Sequence, residues 1–314
     1  MATYLVTGGA GFIGSHLADA LRLRDDTVRI LDDLSTGHRD NLPSQTSLVV
    51  GGVADPPAVA GIAAGVDGIF HLAAVASVER GNQDWLGTHR TNLSGTITVL
   101  DAARRARTDR PVPVVYASSA AVFGANEAVP LTEDAATQPL SAYGADKLGC
   151  EQHAFVAGHV HAVPTCGLRF FNVYGPRQAA DSPYAGVISI FARRLAARQR
   201  LPIHGDGTQL RDFVHVSDAV RHLRAAMRLL KATPMAAVAN VCTGRGTTIL
   251  DLAHLLGRIL GRVPEFDHLP PREGDIRTSL GDPDRARALL GIAATMSLAD
   301  GLARMLAADA QAAA

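Results

Sequence analysis

Thr7-Gly8-Gly9-Ala10-Gly11-Phe12-Ile13-Gly14-Ser15-His16 is the stretch that decides the fold. A short apolar run, Tyr4-Leu5-Val6, precedes it, and Phe12, Ile13, Leu17, Leu21 and Leu23 follow at near-helical spacing. The order is strand, glycine turn, helix. Glycines belong at such a turn because the backbone must bend sharply and let a pyrophosphate approach closer than a Cβ permits. The phosphates then meet the free N–H groups and the positive dipole end of the helix. Further on, Thr27-Val28-Arg29-Ile30-Leu31 reads as a second strand and ends in Asp32-Asp33. A carboxylate at that tip grips the adenosine ribose hydroxyls and repels a 2′-phosphate, so NAD is expected over NADP.

Working outward, strands and helices alternate. Strands are expected at Leu48-Val49-Val50, Gly68 to Ala74, Val112 to Ala117 and Val163 to Phe171; helices are expected at Pro56 to Ala64, Asp84 to Arg107 and Ser141 to His159. This alternation predicts an α/β doubly wound parallel (Rossmann) sheet. Regularity weakens after Asn172, although Phe213 to Val216 reads as a strand returning to the core, with Ser217 as the next helix's N-cap. Val238 to Cys242 reads as a further strand, and Thr248 to Leu260 and Leu298 to Leu306 as helices ahead of a fraying Ala-rich tail. The expected division is residues 1–171 plus 213–244 for the dinucleotide domain, and 172–212 plus 245–314 for a smaller C-terminal substrate-binding lobe.

Composition narrows the function classes. The 314 residues carry 30 basic and 30 acidic side chains, so no global field invites nucleic acid or an anionic membrane. Arg104, Arg105, Arg107 and Arg110 read as a solvated helix end. Cys150, Cys166 and Cys242 are scattered in apolar surroundings and read as packing in a reducing compartment. No metal-ligand spacing, secretory signal or membrane-spanning run is read, so a cytoplasmic enzyme without metal is expected.

The chemistry starts from Tyr143-Gly144-Ala145-Asp146-Lys147 at the start of a helix. Residues four apart share a face, so the phenol and ammonium can enter one cleft. A free phenol is a poor base at neutral pH, and an adjacent cation favours the phenolate, which can accept a hydroxyl proton. Ser118-Ser119 ends the preceding strand, where ligands of open α/β sheets bind.

Together these segments resemble the extended short-chain dehydrogenase/reductase family, the NAD-dependent epimerase/dehydratases, and within it the UDP-sugar 4-epimerases. The likeness runs through Thr7 to Gly14, Ser119 to Gly124, Tyr143-x-x-x-Lys147, Arg169 to Arg177, Gly205 to Thr208 with Arg211 to Val214, and Arg272 to Asp275. It implies Ser119, Tyr143 and Lys147 as the catalytic set. It implies NAD held by Gly8, Gly11, Phe12, Ile13, Gly14, Asp32, Asp33, Val53, Leu72, Ala73, Ala74, Asn92, Tyr143, Lys147 and Phe170. A UDP-sugar would be held by Ser77, Ser119, Tyr143, Asn172, Val187, Arg211, Arg272, Asp275 and Ser279.

The implied reaction is oxidation at C4, rotation of the 4-keto sugar and reduction on its other face. Related dehydratases and decarboxylases carry an acid just after the catalytic hydroxyl, whereas Ala120 and Ala121 stand here. Relatives carry Gly-Asp after the third strand, whereas Gly51-Gly52 stands here, so adenine recognition is either looser or passes to the Val53 backbone or to Asp55. Ser279, where hexose-restricted relatives carry tyrosine, leaves room for a 2-acetamido group. The resemblance also implies a homodimer through a four-helix bundle built from two long helices of each chain. The alternatives are a UDP-uronic acid 4-epimerase, another NAD(P)-dependent nucleotide-sugar oxidoreductase, and a non-catalytic NAD-binding protein, against which the intact trio argues.

Overall fold

The computed structural model describes residues 1–44, 46–126, 128–178, 186–271 and 276–312. The first part of the chain runs β1 (Thr3–Thr7), α1 (Phe12–Arg22), β2 (Thr27–Asp32), β3 (Ser47–Val50), α2 (Pro56–Ala63) and β4 (Gly68–His71). It continues through α3 (Val78–Gln83), α4 (Trp85–His89), α5 (Gly95–Arg105), β5 (Val114–Ser119), α6 (Ala142–His161) and β6 (Thr165–Phe170). After these come β7 (Asn172–Tyr174), α7 (Val187–Ala196), β8 (Leu201–His204), β9 (Leu210–His215), α8 (Val216–Ala232) and β10 (Ala236–Val241). The chain closes with β11 (Gly246–Thr248), α9 (Ile249–Leu260), β12 (Phe266–Leu269), β13 (Thr278–Ser279), α10 (Asp284–Leu290) and α11 (Leu298–Ala312).

A seven-stranded parallel sheet in the order β10-β6-β5-β4-β1-β2-β3 forms the centre. Side chains alternate across it, as the strand period of two requires. Tyr4 and Val6 pack on one face with Leu17 and Leu21 of α1 and Leu223 and Met227 of α8. Leu5 packs on the other with Val59 of α2, Val99 of α5 and Ala154 of α6. A third core, with Phe191, Leu201, Phe213, Leu252 and Leu302, fills the smaller lobe. All three cysteines are buried, and burial pushes the Cys166 thiol up to about 12. No helix among the described residues is long and apolar enough to cross a membrane.

Five expectations need correction. The strand expected at Phe213 to Val216 runs from Leu210 to His215, because Val216 opens α8; it reaches the core, where Val214 is buried, through a second sheet in which β9 pairs with β7, β11 and β13. Ser217 is not the cap of α8. His215 is, its ring accepting from the Ser217 amide at 3.2 Å. The strand from Gly68 stops at His71, because the following backbone leaves the sheet to line a cavity. The long helix from Asp84 is α4 and α5 joined by a π-helical turn, Arg90–Ser94, and α3 precedes it. Finally, α11 continues as helix to Ala312 rather than fraying after Leu306.

The arginines at the end of α5 meet carboxylates. Arg104 pairs with Asp101 at 2.7 Å, and Arg107 with Asp67 at 3.0 Å and Asp109 at 3.1 Å.

Candidate active site

A cavity of about 500 Å³ opens at the C-terminal ends of the central strands. Its inner wall is the glycine turn. Gly8 has φ +69°, and a Cβ there would lie 2.6 Å from the Ala73 backbone nitrogen. A Cβ on Gly14 would lie 2.1 Å from the Gly8 carbonyl oxygen. Both positions therefore exclude any side chain, letting the turn and the 72–74 segment close together around a backbone-lined hollow. Gly11 is the N-cap of α1, and no side chain caps that helix, so its first amides face the cavity.

Asp32 holds this turn in place. Its carboxylate is buried and accepts from the Ala10 amide and the Leu34 amide, each at 2.9 Å. Asp33 is exposed and accepts from the amide and hydroxyl of Ser35. Both acids line the cavity together with Ser35 and Thr36, which sequence reasoning missed and which come two and three residues after Asp33. Of the two residues named for the base, Val53 lines the cavity, whereas Asp55 caps α2 through the Ala58 amide. At Gly52 a Cβ would meet nothing within 4 Å, so the wall there is open.

A buried polar chain fixes the segment after β4. Thr96 donates to the Asn92 carbonyl at 2.6 Å, so His71 Nε2–H donates to Thr96 at 3.0 Å. Nδ1 then accepts from the Thr7 hydroxyl at 2.7 Å. Burial, with the Lys147 charge adding to it, pulls His71 down to about 3, so the ring is neutral. Asn92 is itself buried, and its amide grips Val75, accepting from the amide at 2.8 Å and donating to the carbonyl at 3.2 Å. It positions the cavity wall and does not line it. The π-helical turn that carries Asn92 also carries Thr91, which lines the cavity.

Ser119, Tyr143 and Lys147 line the same hollow as the glycine turn. Ser141 caps α6 by accepting from the Gly144 amide at 3.1 Å, which fixes Tyr143 in the first turn and Lys147 one turn later. Lys147 is 3% exposed, donates to the Ala117 carbonyl at 2.8 Å and stands 5.8 Å from the Tyr143 ring centroid. The Ser119 hydroxyl oxygen accepts from the Ala121 amide at 3.1 Å, leaving its proton for another acceptor. Ser118 is committed elsewhere: it donates to buried Glu151 at 2.5 Å, and Glu151 is gripped by Arg169 at 2.8 and 2.7 Å. Asp146, between the two α6 residues, pairs with His89 of α4 at 2.8 Å.

The remaining expected residues divide. Phe12, Ile13, Leu72, Ala73, Ala74, Phe170 and Asn172 line the cavity. Ser77 does not, because its hydroxyl caps α3 at the Arg80 amide. Arg211 and Ser279 sit side by side in register on β9 and β13 of the second sheet, and Val187 opens α7. Asp212 is a scaffold residue: its buried carboxylate holds the Thr243 and Gly244 amides. Arg272 and Asp275 lie outside the described residues. Arg80, which sequence reasoning missed, lines the cavity from α3.

The description NAD dependent epimerase/dehydratase family belongs to a family model that matches residues 4–242. A UDP-glucose 4-epimerase of Mycolicibacterium smegmatis is 36% identical over 308 residues, with 96% of each chain covered. The fold superposes with a TM-score of 0.94 on the UDP-glucose 4-epimerase of Thermotoga maritima solved with UDP-glucose, at 33% identity, covering 99% of this chain and 100% of that one. It superposes at 0.92 on a UDP-N-acetylglucosamine 4-epimerase of Methanobrevibacter ruminantium in complex with UDP-N-acetylmuramic acid, at 30% identity and 99% of both chains.

Proposed function

Since the chain belongs to the NAD-dependent epimerase/dehydratase family, we propose that it inverts C4 of UDP-hexoses, taking the UDP-GlcNAc/UDP-GalNAc pair and the UDP-glucose/UDP-galactose pair. It is an isomerase that uses NAD. The residues present fit that cofactor: side-chain-free Gly8 and Gly14, the uncapped start of α1 and the Asp32-Asp33 tip surround one continuous hollow. When bound, NAD supplies the acceptor for the C4 hydrogen of the sugar and returns it to the opposite face.

The chain's own residues handle the proton and the orientation. Tyr143 takes the proton of the C4 hydroxyl and gives it back to the same oxygen after the keto sugar has turned. Lys147, fixed on the Ala117 carbonyl, sets its ammonium group beside the phenol. Ser119 directs its free hydroxyl proton at O4. Ala120 and Ala121 hold no group able to move a proton at C5, which supports epimerisation over dehydration.

The observation that carries this reading is the trio sharing one cavity with the glycine turn. The small side chain of Ser279 beside Arg211 supports acceptance of an acetamido sugar. The purified protein, incubated with NAD and a panel of UDP-sugars, is expected to interconvert both pairs with no net change in nicotinamide absorbance. Ser279→Tyr is expected to lose the acetamido pair at least about tenfold more than the plain pair, about 1.4 kcal/mol or more of steric exclusion. Equal turnover of both pairs in that variant would overturn the substrate assignment.

One observation favours a second reading, a UDP-uronic acid 4-epimerase. Arg80 is half-buried and has no ion pair among the described residues. Its neighbour Gly81 packs on the first turn of α6, where a Cβ would be 3.7 Å from the Tyr143 amide nitrogen. A guanidinium there suits a C5 carboxylate, and UDP-glucuronate in the same panel separates the two readings.

We also infer a homodimer. Trp85, Leu86, Ile97, Phe155, Val156 and Val160 stay exposed on neighbouring α4, α5 and α6, a row of apolar side chains that a second copy can cover.

A further inference from the structure

A second cavity, of about 410 Å³, lies at the opposite end of β1 from the glycine turn, between the end of α1 and the outer face of α8. Four cations line it: Arg24, just past α1, and Arg224, Arg228 and Lys231, which recur on one face of α8. One carboxylate joins them, Asp26, and its Oδ1 already accepts from the Ala2 amide at 2.9 Å. The side chains of the hollow therefore carry an excess of three positive charges over an apolar floor that includes Phe70 and Met227.

The helix dipole does not explain this gathering. Cations suit the last turn of a helix, which accounts for Lys231, but Arg224 sits in the middle of α8 (Val216–Ala232). Nor are the charges paired in the manner of Arg104 and Arg107 at the end of α5, where Asp101, Asp67 and Asp109 lie within 3.1 Å of a guanidinium. Lys231 is oriented by Tyr4, donating to its hydroxyl at 3.3 Å with the ammonium 5.3 Å from the ring centroid. Partial burial, then Arg24 and Arg228, pull the Arg224 guanidinium below its ordinary value, with Asp26 opposing. Four like charges converge on one hollow, and a multivalent anion relieves their repulsion.

We propose that this cavity is a binding site for an oligophosphate, separate from the nucleotide-sugar site and formed by Arg24, Arg224, Arg228 and Lys231. The guanidiniums provide forked donors for phosphate oxygens, and Lys231 provides a point charge fixed by Tyr4. A ligand that binds the folded chain there stabilises it by mass action.

The test uses the whole protein saturated with NAD and UDP, so that the first cavity is filled, and inorganic tripolyphosphate as titrant. Calorimetry is expected to show one saturable site per chain, and the melting temperature to rise by roughly 4 °C at a hundredfold excess over Kd, with sodium chloride of equal ionic strength not reproducing the rise. Arg224→Gln/Arg228→Gln should weaken binding at least about tenfold and, without tripolyphosphate, melt no lower than the parent, because repulsion is removed. Arg24→Gln/Lys231→Gln, on the cavity's exposed rim, gives the same reading should the first pair fold poorly. Absence of saturable binding at millimolar tripolyphosphate, or equal affinity in a folded double variant, overturns the proposal.

Discussion

Glu151→Gln tests whether a buried ion pair holds the floor of the active site. The side chains of Arg169 and Glu151 are 6% and 7% exposed, and two nitrogens of the guanidinium meet the carboxylate at 2.7 and 2.8 Å. Ser118 donates to the same carboxylate, and Arg169 also donates to the Glu133 carbonyl at 3.0 Å and lies 4.7 Å from the Phe123 ring centroid. Glutamine keeps the shape but removes the charge, and its amide group confronts one guanidinium nitrogen with another donor. Breaking a buried pair from one side costs about 3–5 kcal/mol, because the remaining charge is uncompensated. The Glu133 carbonyl and the Phe123 ring still serve Arg169, so the lower end, about 3 kcal/mol, is expected. Glu151→Leu/Arg169→Met removes both charges and should recover at least half of that loss. Urea unfolding at constant NAD, compared at equal m-value, reads both differences. A single variant within about 1 kcal/mol of the parent, or a double variant no more stable than the single, would refute the account.

The remaining predictions concern chemistry, pH and assembly. Tyr143→Phe should lower kcat by about 10²–10⁴ while NAD binding, followed by protein fluorescence, stays intact; turnover at the parental rate would remove Tyr143 from the mechanism. His71 titrates at about 3 in the folded chain, below its unfolded value of 6.5, so the unfolded state takes up a proton that the folded state refuses. Its contribution is complete well above pH 6.5 and lost as pH falls toward 3, about 2 kcal/mol of it between pH 7 and 5. Unfolding free energies at pH 7 and 5 should fall less steeply in His71→Gln, and an unchanged slope would contradict the buried neutral ring. Phe155→Asp/Val160→Asp should convert a dimer into a monomer by sedimentation equilibrium, and an unaltered mass would move the interface elsewhere.

Most of the central sheet was legible because its signals are local. Glycines at 8, 11 and 14, apolar runs bounded by turns, and a phenol four residues ahead of an ammonium depend only on backbone geometry within one turn or strand. The cavity accordingly contains Gly8, Gly14, Asp32, Ser119, Tyr143 and Lys147 together. The π-helical turn at Arg90–Ser94 escaped because its hydrophobic spacing mimics that of an ordinary helix. That Leu210–His215 reaches the core through a second sheet was not legible, because an apolar run states that a strand is buried, not which neighbour it pairs with.

By itself, then, the sequence determined the doubly wound architecture, the glycine-lined hollow and the identity of the groups able to move a proton. Tertiary structure alone decided their partners. It put Ser118 on Glu151 and left Ser119 for the cavity, engaged Asn92 on Val75, set Asp55 to capping α2 while Val53 reached the wall, and brought Arg211 beside Ser279 across 68 positions of chain. Spacing along a chain fixes which side chains share a face, but the hydrogen bonds and charges that engage them come from residues distant in sequence, and those meetings exist only once the sheet has closed.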